Sequence, residues 1–250
     1  MMHARGVRRS RGQEEEESYF ISMSDMMVGL LFVFMILMLY FALQFQQKSK
    51  AISDAGQTRT EILKKLQKAL KVAHLDVEID TRTGVLRLPA EILFAKGDYR
   101  LSTQGRDAIT TVAEKMAEIL PCYTYQPGAT RLGCPDQLHS IDAIFIEGHT
   151  DSDALRGQGP ISDNMDLSAL RATNTFRALS ASAPQLNTLR NLPSGDAAST
   201  PILSVSGYGP NRPIPGSSND ESSKAKNRRI DLRFLMEAPQ AKDIVDMLVH

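Results

Sequence analysis

Asp25 is the only charged residue in an apolar run covering residues 19–45, and its surroundings, FISMSDMMVGLLFVF, give it two possible kinds of chemistry. A carboxylate held at helix depth in a membrane costs roughly 2.5 to 3.5 kcal/mol on insertion scales, and such residues mark ion pathways. The same acid also fits a helix start, because Ser22-x-x-Asp25 matches a capping box and negative charge near a helix N-terminus is stabilised by the macrodipole. Position and spacing alone leave both open. A second candidate is His149-Thr150-Asp151, which follows the apolar run IDAIFIEG. A hydrolase built on His149 would need a nucleophile or a bound metal, and neither a Ser/His/Asp order nor a ligand spacing accompanies it. The sequence therefore predicts no enzyme, no metal site and no cofactor, with His149 packed at a strand end. The third candidate is the pair Cys122 and Cys134, each beside a proline in PCYTYQPGATRLGCPDQ. An oxidising compartment and a short Gly/Pro-rich loop favour a disulfide between them over two free thiols.

The elements that must position these groups follow from length and patterning. Lys and Arg total 29 and Asp and Glu total 29, so no global charge bias points to nucleic acid, and no direct nucleic-acid binding is expected. Residues 1–18 hold Arg5, Arg8, Arg9 and Arg11 and then four consecutive glutamates at 14–17, with almost no apolar content, and are expected to be a disordered head. Residues 26–43 are eighteen positions without a charge. At about 1.5 Å per residue the wider run 19–46 crosses about 30 Å of hydrocarbon as one transmembrane helix. A cleavable signal peptide would have a shorter core and a small-residue cleavage site, whereas FALQFQQKSK follows here. The four arginines before the span outnumber Lys48 and Lys50 after it, which places the N-terminus in the cytoplasm and everything after Lys50 outside it.

Residues 47–75 carry Ile62, Leu66, Ala69 and Ala73 at helical spacing among lysines, an amphipathic stalk. It would either pair with a second copy of itself or cover part of the next domain. From residue 76 the period changes to two around Thr83-Gly84, a hairpin signal. A helix then opens at Ser102 or Thr103 and stops at Pro121, the strand HSIDAIFIEGHTD follows, and a second helix runs over residues 163–182. PILSVSGYG and NRRIDLRFLM read as two more strands, the latter alternating Ile230, Leu232 and Phe234 against Arg229, Asp231 and Arg233. The fold class is α+β, a single N-terminal transmembrane helix followed by an α/β sandwich over residues 76–238, with a tail at 239–250.

Three segments, FAKGDYRLSTQGRDAITTVAEKM, IEGHTDSD with NMDLSALRATNTFRAL, and LSVSGYGPNRPIP with KNRRIDLRF, resemble in family order the OmpA-like peptidoglycan-binding domain. The resemblance covers about residues 77–236. It implies non-enzymatic binding of the diaminopimelate of the cell-wall stem peptide, with the aspartate of His-Thr-Asp and the arginine of Leu-Ser-x-x-Arg-Ala holding its free amine and carboxylate. By match these are Asp151 and Arg171, with Asn164 and Arg229 shaping the pocket floor. One anion and one fork-shaped cation suit a zwitterionic end, because arginine meets a carboxylate bidentately. On the residues alone, Asp151 would cap a turn and Arg171 would pair with Asp163 or Asp166. The stretch SDALRGQGPISD between Asp151 and Asn164 is longer than the family pattern, and so is the cysteine loop.

The segment ISMSDMMVGLLFVF resembles the span of MotB-type stator subunits, which carry the same wall-binding domain behind it. Phe20, Ile21 and Met23 start the apolar span before the acid, so a cap at Ser22 would truncate it. The resemblance implies that Asp25 binds and releases a transported proton or sodium ion, in a homodimer inside a pentameric ring of MotA-like or ZorA-like membrane subunits. Flagellar stators and the anti-phage Zorya motors share this architecture. The glutamates at 14–17 replace the basic Gly-rich lead of flagellar members, and with the long inserts they point to the ZorB-like defence group. A Pal-like tether that conducts nothing is the alternative.

Overall fold

The computed structural model describes residues 10–126, 134, 139–155, 157, 159–193 and 195–237, with the backbone alone for 10–18. The arginines at the start of the chain and the expected tail at 239–250 lie outside the described residues. The chain divides into two units, one ending at Ala51 and the other beginning at Ile52.

In the first unit the backbone is helical from the beginning of α1 (Ser10–Val72). Its apolar side chains are uncovered, with Phe20, Leu30 and Phe41 each more than 60% exposed, and an 18-residue window reaches a mean hydropathy of 2.7. A helix satisfies its own backbone groups, so this is a form in which such a surface can enter lipid. Among the described residues it is the one helix long and apolar enough to cross a membrane. Helix extends back through residues 10–18, where the sequence predicts disorder. Extending an existing helix avoids the nucleation cost, and Arg, Gln and Glu are good helix formers.

In the second unit, α1 from Ile52 onward belongs to the domain. Ile62, Leu63, Leu66 and Leu70 are fully buried in the same core as the sheet, Lys65 Nζ donates to the Tyr123 hydroxyl at 2.7 Å, and Gln67 donates to the Val77 carbonyl at 3.0 Å. From Ile52 onward the segment 47–75 thus follows the second of its two readings, covering part of the next domain. Ile62 and Leu66, expected on a face able to pair with a second copy, are occupied within the chain. The true stripe runs through Leu63 and Leu70 rather than Ala69 and Ala73, since leucines bury more apolar area per position.

A hairpin of β1 (Glu78–Asp80) and β2 (Val85–Pro89) turns at Gly84, whose φ of +76° favours glycine. After α2 (Ala90–Leu93), α3 (Thr103–Ile119) is capped by Ser102, whose hydroxyl accepts from the Gly105 amide. Then come β3 (Ile141–His149), α4 (Asn164–Ser182), β4 (Leu203–Gly207), α5 (Glu221–Asn227) and β5 (Arg229–Met236). The five strands form one mixed sheet in the order β1-β2-β5-β3-β4, parallel between β3 and β4 and antiparallel elsewhere. Ile230, Leu232 and Phe234 point into the core. An irregularity between Ile141 and Ala143 brings Ile141 to the core side with Ile144 and Ile146, where strict alternation from the sequence puts it on the opposite face.

Two glycines seat α4. Gly148 and Gly207 pair across β3 and β4, and a Cβ on Gly148 would lie 2.0 Å from the Ser168 carbonyl oxygen. The helix thus rests on bare backbone three residues before Asp151, with its own contact point three residues before Arg171. Gly148→Ala is expected to destabilise the domain by about 3 kcal/mol, the upper end for overpacking, because the blocking atom is backbone. Thermal unfolding of the variant measures this.

Candidate functional site

The residues that gather at the C-terminal end of β3 enclose a cavity of about 520 Å³. Thr150 and Asp151 come from the strand end, Asn164 and Arg171 from the first turns of α4, Glu91 and Phe94 from α2 and its exit, and Arg228 from the junction of α5 and β5.

Arg171 is 4% exposed and lies over the Phe94 ring at 5.1 Å. Its Nε donates to the Asp98 carbonyl at 2.9 Å and its Nη2 more weakly to the Ala95 carbonyl at 3.4 Å. No carboxylate pairs with it among the described residues. Asp163 instead caps α4 through the Met165 and Asp166 amides, and Asp166 accepts from the Ser162 amide, so neither is its partner. Burial pushes the Arg171 guanidinium down to about 10, against the opposing pull of Asp151 and Asp98, and it stays protonated at neutral pH. Held by carbonyl acceptors alone among the described residues, the guanidinium keeps donor capacity that a carboxylate in the cavity can meet.

Asp151 Oδ1 accepts from the Asp153 amide at 3.2 Å, and Oδ2 accepts from Arg228 Nη1 at 2.7 Å. Asn164 donates to the Asp153 carbonyl at 2.7 Å, and Lys224 pairs with the Asp153 carboxylate at 2.7 Å, so the long connection after Asp151 is pinned on both sides where it borders the cavity. The Thr150 hydroxyl is buried and has no partner among the described residues.

The structure thus brings Asp151, Arg171 and Asn164 together and places Arg229 elsewhere. Arg229 lies in β5 and points to the sheet face away from the helices, where its Nε donates to Asp231 at 3.0 Å and its Nη2 to the Arg212 carbonyl at 3.1 Å. Arg228, just before the strand, reaches the cavity in its place. Adjacent residues of a strand face opposite ways, so the sequence NRR could not choose between them without the register. Thr150, Glu91 and Phe94 are site residues that sequence reasoning missed, and Arg228 lay in the Asn-Arg-Arg segment assigned to the pocket floor without being singled out. Thr150 was signalled only by its place beside Asp151.

Behind the cavity lies a buried charge network. Arg233 grips Glu147 with two bonds of 2.8 Å, and Asp231 accepts from Arg229 at 3.0 Å and from Arg87 at 3.3 Å. His149 is buried and stacked on Tyr208, 3.8 Å from Glu147 and 3.6 Å from Asp231. These three could crowd ligand atoms around a cation, but both carboxylates are already held by guanidinium groups, which would repel one. Burial pushes the His149 imidazole down, whereas an unfolded chain takes up a proton near pH 6.5. Burial alone would raise Glu147, but its contacts with His149 and Arg233 bring it from 4.5 to about 2. Both values are depressed on folding, so both stabilise the domain at neutral pH and that stability is lost on acidification. Melting temperature is expected to fall first as pH drops below about 6.5 and again between about 4.5 and 2, and His149→Gln should remove the first limb.

Cys122 and Cys134 form a disulfide. Asp25 lies inside α1, which begins at Ser10, so neither Ser22 nor Asp25 caps the helix, and the macrodipole is felt only within the terminal turn.

No protein-family model matches the sequence, and no curated protein does. Among solved structures, a MotB-like protein from Desulfovibrio vulgaris aligns at TM-score 0.50 with 20% identity, covering 75% of this chain and 98% of that one. The cell wall anchor of the T6SS from Pseudomonas aeruginosa aligns at TM-score 0.45 with 16% identity, covering 73% and 99%. The periplasmic domain of Helicobacter pylori MotB aligns at 0.43 with 19% identity, covering 66% and 80%. The chain is thus one long apolar helix followed by an α/β domain with a mixed sheet, and that domain has the fold of the MotB-like protein.

Proposed function

We propose that the domain anchors the chain to peptidoglycan by binding the zwitterionic end of a stem-peptide diaminopimelate, without catalysing a reaction. The observation that carries this is Arg171, a buried cation with no carboxylate partner among the described residues, facing a cavity with Asp151 on its wall. The carboxylate of the ligand meets Arg171, its ammonium meets Asp151, and the Thr150 hydroxyl is placed to complete the set. The order of the His-Thr-Asp, Leu-Ser-x-x-Arg-Ala and Asn-Arg-Arg segments supports the same ligand. The test is co-sedimentation of the full chain with purified sacculi, competed by free diaminopimelate muropeptide. An anchor gives saturable, competed binding, and binding that free muropeptide leaves unchanged would refute it.

Held to the wall, the membrane helix with its single acid acts as the B-type subunit of an ion-driven rotary motor. Asp25 takes up and releases a proton or sodium ion at the contact with a pentameric MotA-like or ZorA-like ring that surrounds a homodimer of this chain in the inner membrane. Each ion moved down the potential supplies about 2.3 kcal/mol per 100 mV, enough to step a packed interface. The glutamates at 14–17 and the long connections of the domain favour a motor of the Zorya anti-phage type.

A further inference from the structure

The two charges assigned to the ligand are in opposite states. Among the described residues Arg171 has no carboxylate partner, whereas Asp151 is already neutralised by Arg228. The Arg228 guanidinium is itself divided: Nη1 bonds Asp151 at 2.7 Å, while Nη2 bonds Glu221 at 2.8 Å and Glu91 at 3.4 Å. Both glutamate side chains are well exposed, at 74% and 61%, while those of Arg228 and Asp151 are 20% and 13% exposed. Asp151 can therefore be released without moving the arginine into solvent, because its other nitrogen stays held.

Resting on the pocket reading above, we infer that ligand entry is an exchange of ion pairs. The incoming ammonium takes Asp151 from Arg228, and Glu221 and Glu91 keep the freed guanidinium at the rim. Arg228 is then a latch on the ammonium side of the cavity, and the two glutamates are positioning residues that set how tightly the latch is closed. An empty cavity keeps its acid neutralised, and only a group able to replace a guanidinium opens it. Neutral amines and hydroxyls do not.

Titration calorimetry of the full chain in detergent tests this, using a soluble muropeptide that ends in diaminopimelate and the same muropeptide with that amine acetylated. Arg228→Gln removes the competitor and should tighten the free-amine ligand about twofold to fivefold, the range of one modest ion pair. It should leave the acetylated ligand unchanged. Glu91→Gln with Glu221→Gln leaves Arg228 only Asp151 and should weaken the free-amine ligand about threefold, an effect that vanishes when Arg228→Gln is added. The glutamates are exposed, so this arm does not depend on Arg228 variants folding well. Weaker or unchanged binding by Arg228→Gln, with Arg171→Met and Asp151→Asn both impaired, would overturn the exchange and leave the pocket standing. Failure of wild type and all variants to bind either ligand would overturn the pocket and the exchange with it.

Discussion

Arg171→Met should lower the affinity of the full chain for purified sacculi at least tenfold while leaving its melting temperature unchanged or raised. The two halves come from one fact, that the guanidinium is buried against Phe94 without a carboxylate. A charge-assisted, bidentate contact to a ligand carboxylate is worth about 1.5 to 3 kcal/mol, which is tenfold or more in affinity. Among the described residues the same cation has carbonyl acceptors only, and replacing a poorly compensated buried charge by an apolar side chain of similar length is often neutral or stabilising. Sedimentation and thermal unfolding on one preparation separate these outcomes. A variant that loses stability and keeps wall binding would make Arg171 a structural residue. Asp151→Asn should weaken binding as well.

Asp25→Asn should abolish ion-driven function and leave membrane insertion and wall binding intact. Asparagine has nearly the same shape but carries no titratable proton and no charge, so the proposed contact with a surrounding ring loses its two states. Insertion should become slightly easier, since the cost of a carboxylate at helix depth is removed. No other acid lies in residues 19–45 to substitute for it. The readouts are ion flux and phage plating in cells that express the chain with its multi-span partner. A variant indistinguishable from wild type in both would reduce the protein to a passive tether.

The sequence carried the parts of this fold that rest on local signals. Ser102 announced the start of α3 through capping chemistry, and Thr83-Gly84 marked the hairpin, whereas the Asp163 cap of α4 was not read. Asp151, Asn164 and Arg171 were picked out by the family resemblance, whereas on the residues alone Asp151 read as a turn cap and Arg171 as a partner of Asp163 or Asp166. What escaped depends on register or on distant packing. Arg228 and Arg229 cannot be told apart until the first residue of β5 is fixed. The burial of Leu63 and Leu70 requires knowing that α1 lies on the core. Asp231, Arg229 and Arg233 alternate with apolar residues as a solvated face would, yet Asp231 and Arg229 are buried, Arg233 is half-buried, and all are paired. The brief helix α5 sits in a serine-rich stretch with no apolar periodicity and is set by the Asp220 cap, which accepts from the Ser223 amide.

The central claim is that Arg171 and Asp151 together read a zwitterion. Calorimetric titration of the wild-type chain with diaminopimelate muropeptide, and then with the same fragment acetylated on its terminal amine, tests it most directly. The account predicts saturable binding of the free-amine form and a loss of at least about tenfold on acetylation, the worth of one charge-assisted pair. Equal affinity for the two forms, or no binding of the first, would contradict it.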